Sequence, residues 1–510
     1  MKRIIILFAV ITLAACNKAI TDRVKYSQPL SPAKLDESAG NWMPILLNSA
    51  TEFAVPVPQL VSGDAYKAEV NEVRQMNASI SVEQQKIIRY WAAGGVLRWN
   101  EIMRELVALH NLPPYQNGDG TYPFPNAANP FAYPTFPFAN PPYAARAYAY
   151  VAAAQYDALV ACYKYKGLYN RMPPYRADRS IQPQIPVQEL PSYPSEDAVL
   201  AGVTGELLKL LFPADTAYIS LKINEQKNYR LWAGVNVRSD LDAGEALGKS
   251  VASKFITRAR ADKTGAAVGN AALWAQLETQ TVAKGEIPWI SQETPKRPPM
   301  LPLFGNVRTW LMDSATLIST RAPAPPLTGS EQFKKETEEV KWYADHPSRE
   351  RMEIVHFWAD GVGTYTPPGH WNAIACEDFV SQSFSEVRWA RNLALLNMAM
   401  MDAAINCWNT KFFYFNPRPS QVDPSIKTLT GLPNFPSYTS GHSTFSAAAA
   451  TVLGYIMPTK ATGYNNMAKE ASNSRMYGAI HYRSDCEGGL ECGNRVGAFA
   501  VTRGRADGAN

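Results

Sequence analysis

Apolar positions recur at helical spacing along most of the chain. Ser81-Val82-Glu83-Gln84 has the form of a capping box, in which a hydroxyl and a side-chain amide exchange bonds with backbone N–H groups. It opens a stretch where Ile87, Ile88, Trp91, Val96, Trp99, Ile102 and Leu106 repeat with helical period, predicting one helix to about His110. Similar periodicity returns over 195–211, 216–233, 239–261 and 331–345, and an apolar run over 442–457 ends at Pro458. Between these patterns lie proline-rich stretches over 113–142, 173–194 and 288–326. The first holds nine prolines in thirty residues, which excludes helix and central strand. Strand-like alternation is scarce. The chain therefore reads as all-α, two helical bundles joined by long proline-rich crossovers, one over residues 81–326 and one over 327–510.

An internal similarity supports the pairing of bundles. Ala145-Arg146 and Ala390-Arg391 each lead an alanine-rich helix. Asp157-Ala158, Cys162 and Lys166 then correspond to Asp402-Ala403, Cys407 and Lys411 at a shift of 245 residues. Over this stretch eight of twenty-two positions are identical, which favours an ancient duplication over chance in alanine-rich sequence. Only the second copy is followed by a Ser-Gly-His piece, so the C-terminal bundle is expected to be catalytic and the first structural. Asp157 and Asp402, mid-helix, read as structural partners.

The beginning of the chain has a different character. Met1-Lys2-Arg3 precedes a short apolar run and Leu13-Ala14-Ala15-Cys16, so residues 1–16 read as a secretory signal. The pattern resembles a bacterial lipoprotein signal with Cys16 lipidated, which implies a lipid-anchored protein of the bacterial cell envelope. Residues 17–80 are poorly periodic and are expected to hold a tether and an N-terminal segment. Net charge is +5, or +3 without Lys2 and Arg3, and no Lys/Arg block of the nucleic-acid type is present. Of the six cysteines, Cys162, Cys376 and Cys407 lie in helical patterns and read as buried apolar residues. Cys486 and Cys492 are close enough in sequence for an oxidising compartment to permit a bridge.

The chemistry is concentrated in the last hundred residues. Lys411, Arg418-Pro419, Thr439-Ser440-Gly441-His442, and Ser474-Arg475 with His481 and Asp485 supply three cations, a hydroxyl, a flexible backbone N–H and two imidazoles. Such a set can hold a tetrahedral oxyanion, the arginines offering forked donors. Ser440 is a predicted N-cap, adding helix-start N–H groups. Asp485, four residues after His481, can fix the imidazole tautomer.

These three spaced pieces resemble the superfamily of type 2 phosphatidic acid phosphatases, bacterial non-specific acid phosphatases and vanadium-dependent haloperoxidases. Asp360, in His356-Phe357-Trp358-Ala359-Asp360-Gly361, and Trp408, three before Lys411, resemble segments of fungal-type vanadium chloroperoxidases, as does Phe435 in Asn434-Phe435-Pro436-Ser437-Tyr438. The resemblance implies that Lys411, Arg418, Ser440, Gly441 and Arg475 hold the oxygens of vanadate, and that His481 is its metal ligand. Asp485 would support His481, His442 would act as acid–base group, and Lys411 would polarise bound peroxide. Asp360 would brace an arginine, and Trp408 and Phe435 would shape the halide side. Vanadium(V) would act as a Lewis acid on hydrogen peroxide, with halide leaving as hypohalous acid. The phosphatase reading needs no cofactor: His481 attacks a phosphate ester and His442 protonates the leaving alcohol. Thr439 stands where the family commonly has Pro. The 33-residue gap from His442 to Arg475 is closer to the acid phosphatases. Chain length, the repeated bundle and the Asp360 segment favour the peroxidase. A third reading, a lipid-anchored scaffold without chemistry, predicts gaps in the cation set, and there are none. His370, after Pro367-Pro368-Gly369, is a further pocket candidate.

Overall fold

The computed structural model describes residues 28–111, 140–293 and 296–509. The lipoprotein signal with Cys16, and nearly all of the 113–142 stretch, lie outside them. Among the described residues there is no strand. In chain order the α-helices are α1 Asp64–Ala78, α2 Val82–Trp91, α3 Gly95–His110, α4 Pro141–Tyr169, α5 Pro174–Ala177, α6 Glu196–Leu211, α7 Thr216–Trp232, α8 Arg238–Arg260, α9 Ala271–Ala283, α10 Ser314–Ser319, α11 Glu331–Asp345, α12 Arg349–Phe357, α13 Thr366–Val380, α14 Glu386–Tyr414, α15 Pro419–Val422, α16 Gly441–Ile456, α17 Ala461–Tyr477 and α18 Arg483–Ala506. The set α4–α8 recurs as α14–α18: α4 and α14, α5 and α15, α6 and α16, and α7 and α17 have equal lengths and start 245 residues apart.

The two 29-residue helices α4 and α14 lie against each other at the centre, both buried almost end to end. Their alanines let the backbones approach, so helices of low amphipathicity become core. Around α4 pack α6 and α8; around α14 pack α16 and α18. Glycines set the spacing of these outer pairs. A Cβ on Gly493 of α18 would lie 2.3 Å from the Thr444 carbonyl oxygen of α16, and one on Gly248 of α8 would lie 2.2 Å from the Val199 oxygen of α6.

Three features depart from the local pattern. The capping box at Ser81 forms, with Gln84 N–H to Ser81 Oγ at 3.2 Å and Ser81 N–H to Gln84 Oε1 at 2.8 Å. The helix it opens nevertheless breaks at residues 92–94, where Gly94 has φ +116°. The break aims the start of α3 at α14, and Val96 N–H donates to Glu386 Oε1 at 2.5 Å. The segment before α1, expected to include a tether, lies on the body from residue 28 onward, with Ala39 and Trp42 buried. The N–H groups of Ile45, Leu46 and Leu47 donate to the Asp157 carboxylate at 2.5–2.9 Å. Asp402 receives Trp310 and Leu311 N–H at 2.8 Å in the same manner. Both mid-helix aspartates thus anchor crossing loops, giving otherwise stranded N–H groups a partner. Finally, the Cys486–Cys492 bridge does not form: both thiols are free and lie on α18. Six residues of helix separate their Cα atoms by about 9 Å of rise, beyond the reach of a disulfide.

Replacing Gly493 by Ala should force α18 from α16 and cost about 1–3 kcal/mol, because there is no room for the added methyl. Gly463→Ala on α17, where a Cβ meets nothing within 4 Å, should instead stabilise by about 0.5–1 kcal/mol. Thermal unfolding midpoints of the two variants moving in the same direction would contradict this account of the helix spacing.

Candidate oxyanion site

Five separate pieces of the C-terminal bundle converge. Lys411 projects from the last turn of α14, whose C-cap Phe415 adopts a left-handed conformation, φ 55°. The chain then turns, and Arg418 serves as N-cap residue of α15, whose first position is Pro419. An irregular run through Pro436, containing a cis Tyr438–Thr439 peptide, reaches Ser440. Ser440 caps α16 as its position predicts, its side chain accepting Ser443 N–H at 3.3 Å. Arg475 lies in the last turn of α17, a left-handed Ala479 reverses the chain, His481 precedes α18 and Asp485 sits in its first turn. A backbone bond from Ser440 N–H to Asp485 O, 2.8 Å, holds the starts of α16 and α18 together.

The hydrogen bonds assign His481 its tautomer. Nδ1 faces Asp485 Oδ2 at 2.8 Å, and Nε2 faces Arg418 Nη1 at 3.0 Å. A guanidinium can only donate, so Nε2 carries the lone pair and Nδ1 carries the hydrogen. Asp485 Oδ2 also accepts from Ser437 Oγ and, at 3.1 Å, from Tyr482 N–H. Three donors fix this carboxylate and, through it, the plane of the imidazole. Burial, then the charges of Arg418, Lys411 and Arg475, hold His481 well below the usual imidazole range. His442, at the second position of α16, is likewise held well below that range by burial and by Arg475. Its backbone partners are Trp358 and Ala359, while its Nε2 is buried without a hydrogen-bond partner.

The cations are fully enclosed. Arg418 donates to the Phe435 and Ile480 carbonyls at 3.1 and 2.8 Å, and Arg475 to Ser474 Oγ at 2.8 Å and Val355 O at 3.3 Å. Burial lowers both guanidinium groups to about 10, which leaves them charged at neutral pH. Lys411 Nζ donates to three carbonyls, Pro436 at 2.8 Å, Ser437 at 2.9 Å and Thr439 at 2.5 Å. Burial pushes its pKa down, while the three carbonyls hold the proton in place. Lys411 therefore clamps the 436–439 segment, and reaching a ligand oxygen requires giving up one carbonyl. Phe435 lies 4.9 Å from Lys411 Nζ and 5.1 Å from Arg418 Cζ, and packs on Trp408 with centroids 5.0 Å apart.

Three buried cations against the two carboxylates of Asp485 and Asp360 leave an excess of positive charge, an arrangement that an anion completes. The N-terminus of α16 adds its dipole and N–H groups. Room is available there: a Cβ on Gly441 would approach nothing closer than 3.8 Å. The donor set, the unpaired His442 Nε2 and this space fit a tetrahedral oxyanion such as vanadate or phosphate.

The sequence-derived set of Lys411, Arg418, Ser440, Gly441, His442, Arg475, His481 and Asp485 is gathered in one place. Asp360 sits beside it, its charge acting on Arg475, but its oxygens pair with His370 Nδ1 at 3.1 Å. His370 also packs on Trp358 at 4.7 Å between centroids, and so stands behind the backbone that meets His442. Two contributors escaped the sequence: Ser437, and the main chain of Trp358 and Ala359. Their roles depend on segments brought together only by folding, and no local spacing announces them.

Residues 392–506 match the PAP2 superfamily model. No curated protein matches the sequence. Among solved structures, the chain is similar to a bacterial vanadium-dependent iodoperoxidase, at 22% identity and TM-score 0.59, over 80% of this chain and 96% of that one. It is also similar to a holo-type bacterial vanadium-dependent chloroperoxidase, at 10% identity and TM-score 0.50, over 75% of this chain and 96% of that one. The region carrying the cationic cup thus matches the PAP2 superfamily model, and the chain shares the fold of solved vanadium-dependent haloperoxidases.

Proposed function

We propose that the protein is a vanadate-dependent haloperoxidase that uses hydrogen peroxide to oxidise halide to hypohalous acid. The observation that carries the reading is the imidazole pair in a field of three buried cations. One ring presents an Nε2 lone pair fixed by Asp485, and the other presents an unpaired Nε2. The likeness in fold to iodo- and chloroperoxidases extends over most of the chain and includes the first bundle, which a compact phosphatase reading leaves unused.

The chain's residues divide the work as follows. Arg418 and Arg475 hold anionic oxygens, and an entering oxyanion takes over the Nη1 contact that Arg418 makes with His481. His481 Nε2 is then free to ligate, with Asp485 and Ser437 keeping its ring in line. Bound vanadate would supply Lewis-acid activation of peroxide without a change in oxidation state. His442 Nε2, neutral because its pKa is depressed, accepts the peroxide proton. Trp408 and Phe435 wall the side from which halide approaches, and exclude water there.

The same atoms would serve a phosphatase, with His481 Nε2 as nucleophile and His442, once protonated at Nε2 from solvent, giving that proton to the leaving alcohol. The short His442–Arg475 interval favours that second reading. Lipid anchoring through Cys16 in a bacterial envelope belongs to the same proposal.

One preparation assayed two ways separates the readings. Peroxide-dependent halogenation of a phenol dye is expected after addition of vanadate, and His442→Ala should lower its kcat by about 10²–10⁴. Hydrolysis of an aryl phosphate, with no halogenation for iodide, bromide or chloride, would reverse the assignment. The depressed pKa sets a further test by NMR on the anion-free protein. His442 should titrate below the usual imidazole range, and Arg475→Gln, which removes a neighbouring positive charge, should move its titration to higher pH. An unmoved or lowered titration would refute the assigned electrostatics. In a bacterial host the full chain should fractionate with membranes and Cys16→Ser should not; equal release of both would remove the anchor.

A further inference from the structure

The first bundle contains a cleft of about 60 Å³, and the 245-residue shift lays it on the oxyanion cup. Lys166 takes the place of Lys411 and donates to the Pro191 carbonyl, as Lys411 does to Pro436. Ser192 Oγ bonds Asp240 at 3.2 Å, as Ser437 bonds Asp485. Asp240 Oδ2 receives Val237 N–H at 2.8 Å, as Asp485 receives Tyr482 N–H. Asn236, in the place of His481, donates to Asp240 at 3.1 Å. Arg230 stands where Arg475 stands, and Ser195, Ser440's counterpart, again precedes the helix. Even the cis peptide recurs, at Tyr193–Pro194.

The departures are concentrated where an anion would sit. Gly441-His442 is replaced by Glu196-Asp197, and Arg418 by Pro173. Asp197 Oδ2 lies 3.2 Å from Arg230 Nη1, and Glu196 Oε2 lies 3.6 Å from Lys166 Nζ. The two carboxylates therefore neutralise Lys166 and Arg230, the counterparts of Lys411 and Arg475. Glu196 keeps a buried Oε1 with no hydrogen-bond partner in this cleft. Glu386, also in the wall, is pushed up to about 8 by burial and by Asp197, as expected where negative charge is already abundant.

We propose that this cleft is a duplicate of the oxyanion site whose seat is occupied by the chain's own Glu196 and Asp197, and that removing both carboxylates creates a second site for tetrahedral oxyanions. The inference rests on the reading of the C-terminal cup as an oxyanion seat.

The test counts inorganic phosphate bound per chain by equilibrium dialysis. Glu196→Gly/Asp197→His, which restores the Gly-His sequence of α16, should bind one more phosphate than the unaltered protein. The Glu196→Ala/Asp197→Ala variant, which empties the seat without adding a ring, should gain the same site, and adding Arg230→Gln should abolish the gain. If the C-terminal cup binds no phosphate, the count should still rise by one, so the two readings fail separately. An unchanged count in folded protein of either double variant, or two phosphates already bound by the unaltered chain, would overturn the proposal.

Discussion

Positive charge concentrated in a closed space governs the C-terminal half of this molecule. Lys411, Arg418 and Arg475 are each at most 1% exposed; Asp485 opposes the first two and Asp360 the third. Removing such groups from water is costly, and two carboxylates do not offset three cations. The chain meets most of that cost with its main chain. Carbonyls of Pro436, Ser437 and Thr439 surround the ammonium, and those of Phe435 and Ile480 receive the Arg418 guanidinium. Backbone oxygens carry only partial charge, so they solvate the cations without neutralising them. The residual field makes the cup selective for an anion, and burial together with that field keeps both imidazoles uncharged.

That solution dictates the irregular path between α14 and α16. A helix consumes its own carbonyls, so segment 433–439 must stay nonhelical to turn them inward. Its neighbouring prolines fit the same need, since they lack the N–H that a regular element would use. Lys411 then holds the segment, the segment holds Ser440 at the start of α16, and the Ser440–Asp485 backbone bond aligns α18 with it. The cup and its frame are one structure, and loss of the lysine would loosen the loop as well as remove a charge.

How much of this was legible beforehand follows from range. Residue types at fixed spacing placed the cations, Ser440 and the His481–Asp485 pair, because each lies in a short stretch whose local geometry is set by a helix turn or a cap. The all-α class followed from 3.6-residue periodicity, and the bounds of α6, α7 and α11 fell within a residue of the pattern. What stayed hidden spans long separations. Ser437 reaches Asp485 across 48 residues, and Ile45 reaches Asp157 across 112. The inward aim of Lys411 was invisible for a related reason: sequence shows that a cation is present, but not whether carbonyls or a ligand claim its donors. Gly94 marked its break only through a positive φ that many glycines never adopt.

The two bundles show how little sequence separates an anion seat from its opposite. Both present a helix start, a lysine on a loop carbonyl, an arginine in the last turn of the following helix, and an aspartate capping the one after that. In α16 the first two helical residues are glycine and a neutral histidine, so no acidic group in that first turn offsets the helix dipole or the cations. In α6 the same two positions are acidic, which is the ordinary preference of a helix N-terminus. Those carboxylates satisfy the dipole, the lysine and the arginine together. Local helix stability therefore favours the closed form. An open cup survives only where the first turn forgoes that stabilisation, and Gly441-His442 is the pair that forgoes it.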